Sequence, residues 1–282
     1  MIKTAILLTV YNRKEITIKG LHSLFSSIEA LGDGYSFDVF MTDDGCTDGT
    51  SEAVRNIFND IHIVHGDGHL FWNRGMIAAW DAALNNNVAY DFFLWFNDDV
   101  ILFPKALEIM FLANLKAGNN SIISGAFCDK SGSVSYGGWI KNSIMGVNND
   151  LQEVDRINGN FVLVPHCVCQ KIGVLDSHFH HSYGDFEYGI RAQKNNIHLY
   201  LTPKYVGECE RHDDVQGYYN TKKNLYKRIK NLYFPVGDYP IDAFYYDIKC
   251  RNLPKAILNF ISLHFRCLFP GIWDKMYNRF RN

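Results

Sequence analysis

Between residues 93 and 104 the chain reads FLWFNDDVILFP, with an amide and two carboxylates (Asn97, Asp98 and Asp99) set among nine apolar side chains. Such groups are expensive to bury without partners. Either a core strand runs out into a polar turn here, or the acids meet a cation or a polar ligand. Similar polar groups occur at TVYNRKE (9–15), TDDGCTDGT (42–50) and GDFEYGIRA (184–192). Carboxylates gathered at one edge repel one another unless they share a cation, and oxygen ligands with an open side suit Mg²⁺ or Mn²⁺ bridging a diphosphate. On that reading Asp99 is the metal ligand, and Asp98 or Asn97 reaches a ribose hydroxyl or a metal-bound water. Asp43 accepts a hydrogen bond from the ring N–H of a base, Tyr11 stacks on that base, and Thr9 adds backbone and hydroxyl contacts. Asn12 and Arg13 stand at the same place as Tyr11.

The elements that would bring these residues together can be read from the spacing of apolar residues. Strands are expected at 4–11, 37–45, 61–68 and 90–102, with helices over 14–30, from Thr50, over 73–86 and from Pro104. Strand–helix alternation with short links predicts an α/β fold, a mostly parallel sheet covered by helices on both faces. Ligands then bind beyond the carboxyl ends of the strands. Residues 9–13, 43–44 and 97–99 all fall at such ends. Further on, 121–129 and 157–165 read as strands and 133–141 as an edge hairpin. A helix is expected near 166–173 and another within 182–196, followed by an extended stretch over 197–213. From about residue 215 the pattern turns helical, basic and aromatic. The expected division is therefore 1–214, an α/β domain, and 215–282, a basic helical extension.

Several classes are disfavoured. No GxxxxGK[ST] loop is present, and VYNRKE stands after the first strand where a dinucleotide fingerprint would be. The seven cysteines lack zinc-ligand spacing and read as thiols of a reducing cytoplasm. The opening residues read as a first strand rather than a leader. No stretch approaches the ~18 uncharged apolar residues of a spanning helix. A net charge of −2 hides an asymmetry: residues 222–282 carry 12 Lys and Arg against 4 Asp and Glu, and the rest of the chain is acidic. The tail is expected either to pack on the core with a basic outer face or to meet something anionic, a membrane surface rather than a nucleic acid.

Taken in order, TVYNRKE, TDDGCTDGT, NDDV and GDFEYGIRA resemble family 2 of the glycosyltransferases over residues 4 to 212. The segment GDGHLFWNRGMIAAW is similar to the bacterial branch containing rhamnosyltransferases and related surface-polysaccharide enzymes. The resemblance implies a GT-A fold: a Rossmann-like, mostly parallel central sheet flanked by helices. It implies an inverting transfer of a sugar from a UDP- or dTDP-sugar to a hydroxyl of a glycan or lipid-linked acceptor. Residue by residue, Thr9, Tyr11 and Asp43 would hold the nucleoside, Asp98 would contact ribose and Asp99 would ligate Mn²⁺ or Mg²⁺. His212 would sit near the diphosphate or metal, and Asp185 would be the general base. Three positions depart from the pattern: Asn97 replaces an acid, Gly184 stands where Glu is common, and Cys46 replaces Ser. The acceptor is expected near Gly159, Asn160, Tyr183 and Glu187. The expected location is the cytoplasm, at the inner face of the membrane. Two rivals are an inactive nucleotide-sugar binder of the same fold and a nucleotidyltransferase, though the glycine-rich loop of the latter is missing.

Overall fold

The computed structural model describes residues 1–58, 60–211 and 217–281. Its elements run β1 (Ile2–Val10), α1 (Lys14–Leu31), β2 (Tyr35–Asp43), α2 (Thr50–Ile57), β3 (Ile61–His65), α3 (Phe71–Leu84), β4 (Phe92–Phe96), β5 (Ile101–Leu102), α4 (Ala106–Lys116) and β6 (Ile122–Cys128). Then follow β7 (Val134–Tyr136), β8 (Gly138–Ile140), β9 (Ser143–Ile144), β10 (Gln152–Glu153), β11 (Arg156–Ile157), β12 (Phe161–Pro165), α5 (His166–Ile172), α6 (Gly184–Lys194) and β13 (Leu199–Glu208). A 3-10 turn at Gly217–Tyr219 leads into α7 (Leu225–Leu232), α8 (Pro240–Cys250), α9 (Leu253–Leu268) and α10 (Pro270–Arg281).

The main sheet has the strand order β10-β13-β6-β12-β4-β1-β2-β3. β3, β2, β1 and β4 are parallel, as are β6 and β13, while β12 is antiparallel to both β4 and β6. Burial explains why β12 gave no sign of its direction: all five of its residues are buried, and a strand covered on both faces reads as one apolar run whichever way it points. In β1, Ala5 and Leu7 enter one core with Trp80, Trp95 and Tyr188; Ile6 and Leu8 enter the other with Leu94, Val39 and Met41. The period-2 alternation of a strand makes that division. Fully burying each large aliphatic or aromatic side chain contributes roughly 1.5–3 kcal/mol.

Two expected elements differ in detail. The strand expected over 90–102 stops at Phe96, and Asp98 and Asp99 form a turn before the short β5. The expected hairpin at 133–141 splits: β7 joins the main sheet through β6, and β8 crosses to a second sheet with β9 and β11. Gly137, with φ of 144°, stands between them. The boundary expected at 214/215 lies outside the described residues. On its far side α8 packs against α6, and Tyr218, Leu232, Ala243, Leu263 and Cys267 form a small core of their own.

Candidate active site

The carboxyl ends of β1 and β2 open on one cleft of about 480 Å³, within the ~300–1,000 Å³ usual for small-molecule sites. Thr9, Tyr11, Arg13, Asp44, His69 and Phe71 line it, with Trp72, His181, Phe234 and Val236 closing its other side. Of the expected nucleotide contacts, Thr9, Tyr11 and Arg13 border this space, and Tyr11 is exposed. Asn12 shapes it from outside: its side-chain oxygen accepts the Thr47 N–H at 2.8 Å, fastening the turn after β2 to the end of β1.

The two acids that end β2 divide the work. Asp43 is buried and does not line the cleft; it accepts the Cys46 N–H at 2.6 Å and the Ser51 hydroxyl. Burial pushes its carboxyl up, but these hydrogen bonds outweigh it and leave Asp43 below the usual carboxylate range. Asp44 is the acid that borders the cleft. It accepts N–H groups of Gly68 (2.9 Å), Leu70 (3.2 Å) and Phe71 (2.9 Å). A carboxylate there caps the start of α3, where unpaired N–H groups and the dipole favour negative charge. Asp44 was expected at the strand end but given no contact of its own, although its adjacency to Asp43 already put the two side chains on opposite faces. Cys46 is no nucleophile, since burial raises its thiol to about 11.

At the end of β4 the three polar residues also separate. Asn97 accepts the Trp72 indole N–H at 2.7 Å. Asp98 is fully buried, accepting the Thr17 hydroxyl at 2.7 Å and an Arg13 N–H, so its carboxylate points into the fold rather than toward a ribose. Burial raises Asp98 to about 6, against the lowering by Arg13 and Thr17. Asp99 is half-buried and accepts the other arm of the same Arg13 fork at 3.1 Å. Desolvation by its surroundings holds the nearby cleft residue His181 down at about 4, so it is neutral at pH 7.

Asp185 opens α6 beyond Trp72. Its oxygens accept the Gly159 N–H at 2.9 Å and the Phe186 N–H at 2.8 Å. A Cβ at Gly159 would lie 2.5 Å from the Trp72 ring and 3.4 Å from Asp185, so only glycine lets the three meet. Burial pushes the Asp185 carboxyl up to about 6, against the lowering by those N–H groups and Arg156. Gly184 is required for a like reason, since a Cβ there would strike the Asn73 amide. Tyr183 precedes it in the left-handed region, φ 73°.

The other expected acceptor contacts are occupied. Asn160 is buried against Cys209. Tyr183 donates to Asp238 at 3.1 Å. Glu187, only 1% exposed, accepts from Arg191 at 3.0 Å and pairs with Lys249 at 2.9 Å. His212 lies outside the described residues.

A family model described as Glycosyl transferase family 2 matches residues 5–179. Solved structures similar to the chain include that of S. aureus TarS 1–349, 12% identical over 94% of this chain and 72% of that one, TM-score 0.52. Its complex with UDP (12% identity, 88% and 70% coverage, TM-score 0.53) and its complex with UDP-GlcNAc (12%, 94% and 73%, 0.52) are similar in the same way. At that identity the likeness establishes the fold alone. None of the curated proteins matches the chain in sequence.

Proposed function

The chain belongs to glycosyl transferase family 2 and is a nucleotide-sugar glycosyltransferase of GT-A fold, and on that premise we propose that it performs an inverting transfer from a UDP- or dTDP-sugar to a hydroxyl of a glycan or lipid-linked acceptor. The observation that carries the reading is the pairing of the strand-end cleft with Asp185, joined to it through Trp72 and Gly159. Complexes of the similar TarS structure with UDP and UDP-GlcNAc support a uridine donor. Asp44 would take the ring N–H of the base, beside Tyr11 and Thr9. Asp43 and Asn12 would keep that edge in shape. Asn97 rather than Asp98 would face the ribose, with Asp98 anchoring Arg13.

In the reaction, Asp185 accepts the proton of the acceptor hydroxyl. The acceptor oxygen bonds to the anomeric carbon as the bond from that carbon to the diphosphate oxygen breaks, and the electron pair leaves with the nucleoside diphosphate. One displacement inverts the centre. A carboxyl raised to about 6 is a stronger base than an ordinary aspartate yet still ionised at pH 7.

A divalent cation, Mn²⁺ or Mg²⁺, would take Asp99 as its one side-chain ligand, a hard carboxylate beside the cleft that also meets Arg13. Among the described residues no three ligating side chains converge, so diphosphate oxygens and water would complete its shell, as is common for Mg²⁺. When bound, it would neutralise charge on the departing diphosphate. The acidic body and basic, apolar tail support an acceptor met at an anionic membrane surface on the cytoplasmic side.

A panel of UDP- and dTDP-sugars read by mass spectrometry tests the activity. Nucleoside diphosphate released by slow hydrolysis or transfer supports it; pyrophosphate release would point to nucleotidyl transfer instead.

A further inference from the structure

Lys249, on α8, reaches into the foot of α6. Its ammonium pairs with Glu187 at 2.9 Å and with Asp176 more closely still. Glu187 is two residues beyond Asp185 on the same helix, and Arg191 holds its other side while donating to the carbonyls of Ile172 and Val174. A second bond from α8 lies just upstream. Asp242, 2% exposed, accepts both the His180 backbone N–H at 2.8 Å and its ring Nδ1 at 2.9 Å. A third comes from the α7–α8 loop: Asp238 accepts the hydroxyls of Tyr183 (3.1 Å) and Tyr218 (3.0 Å), and the Tyr183 ring stacks on Tyr246 of α8 at 5.1 Å. The same loop supplies Phe234 and Val236 to the cleft wall, with Phe234 edge-on to Phe71 at 5.7 Å. Residues 176, 180, 183 and 187 thus each take a contact from the extension, and Asp185 lies within the span they define.

Helices that only cover a core would do so with apolar side chains. Here the buried Glu187 of α6 meets a lysine of α8, and the buried Asp242 of α8 meets His180. Buried ion pairs add little net stability, because desolvation offsets their attraction, and their best-attested use is to specify one arrangement. We propose that the C-terminal extension is a working part of the active centre, with Lys249 the positioning residue that sets where the Asp185 carboxylate stands. The inference rests on Asp185 being the base.

Hydrogen–deuterium exchange on the full chain tests it, comparing wild type with Lys249→Met and Lys249→Arg. Lys249→Met should lose protection over residues 180–190 while β1 and β2 keep theirs. Its turnover should fall on the order of 10- to 100-fold, as for a misplaced catalytic group, with UDP affinity by calorimetry unchanged. Lys249→Arg should restore both. Unchanged protection at 180–190, or protection lost there with full turnover, would overturn the proposal. If Lys249→Met does not fold, Tyr183→Phe decides in its place, since it removes one hydroxyl contact and no buried charge. Should Asp185→Asn leave turnover intact, the base assignment falls, while exchange at 180–190 still reports whether Lys249 holds the segment.

Discussion

At Asp185 burial and hydrogen bonding pull in opposite directions, and burial wins by enough to bring the carboxyl to about 6. Only the ionised form can take a proton. Turnover should therefore hold above pH 7 and decline as pH falls through about 6, which a pH–rate profile at saturating donor checks. Asp44 carries a different load, since three N–H groups at the start of α3 end on it. Asp44→Ala should lower stability by about 1–2 kcal/mol, seen as a reduced denaturation midpoint, and weaken UDP binding in calorimetry. Asp99→Ala should abolish any Mn²⁺-dependent gain in UDP affinity; equal affinity with and without chelator in the wild type would remove the metal from the account. The placement of these residues was legible in part. Thr9, Tyr11 and Arg13 stand out because a parallel strand delivers its last residues to one edge. The inward turn of Asp98 was not legible, because its partner Thr17 is 81 positions away.

Among the elements, the loop into β12 and the start of α6 meet at Gly159, where a methyl group would collide with Trp72. Gly159→Ala should cut turnover roughly 10- to 100-fold while circular dichroism shows the fold retained. The helices and the four parallel strands of the first half were readable because their periodicities are local. Strand direction in the second half was not, since β12 is apolar on both faces. Glu187 illustrates the same limit: an acid in a first helical turn looks available, and only the arrival of Lys249 from α8 shows it to be engaged. That contact also has a pH range. Burial pushes Asp176 up, but bonds from Lys249 and His178 hold it well below the usual range; burial lowers Lys249, but its two acids raise it. A depressed acid stabilises above its unfolded value and loses this as pH falls; a raised lysine stabilises below its own and loses it as pH rises. With unfolded values of about 3.9 and 10.4, the contact is at full strength between about pH 4 and 10.

Across the whole molecule the charge divides between an acidic body and a basic extension. No single described helix is long and apolar enough to cross a membrane. On α9, Leu253, Ile257, Leu258, Ile261 and Leu268 are nonetheless exposed, beside Lys255. Apolar side chains that dip between head groups, with each basic residue adding ~1 kcal/mol near anionic lipid, would hold such a surface in place. The chain should sediment with anionic but not neutral vesicles, less so as salt rises; equal partition to both would leave the extension to packing and positioning alone. The central claim, a base at Asp185 serving a nucleotide-sugar cleft, is tested most directly by Asp185→Asn on a donor that the wild type turns over. Turnover should fall by roughly 10²-fold or more with UDP affinity unchanged. Full turnover in that variant would contradict it.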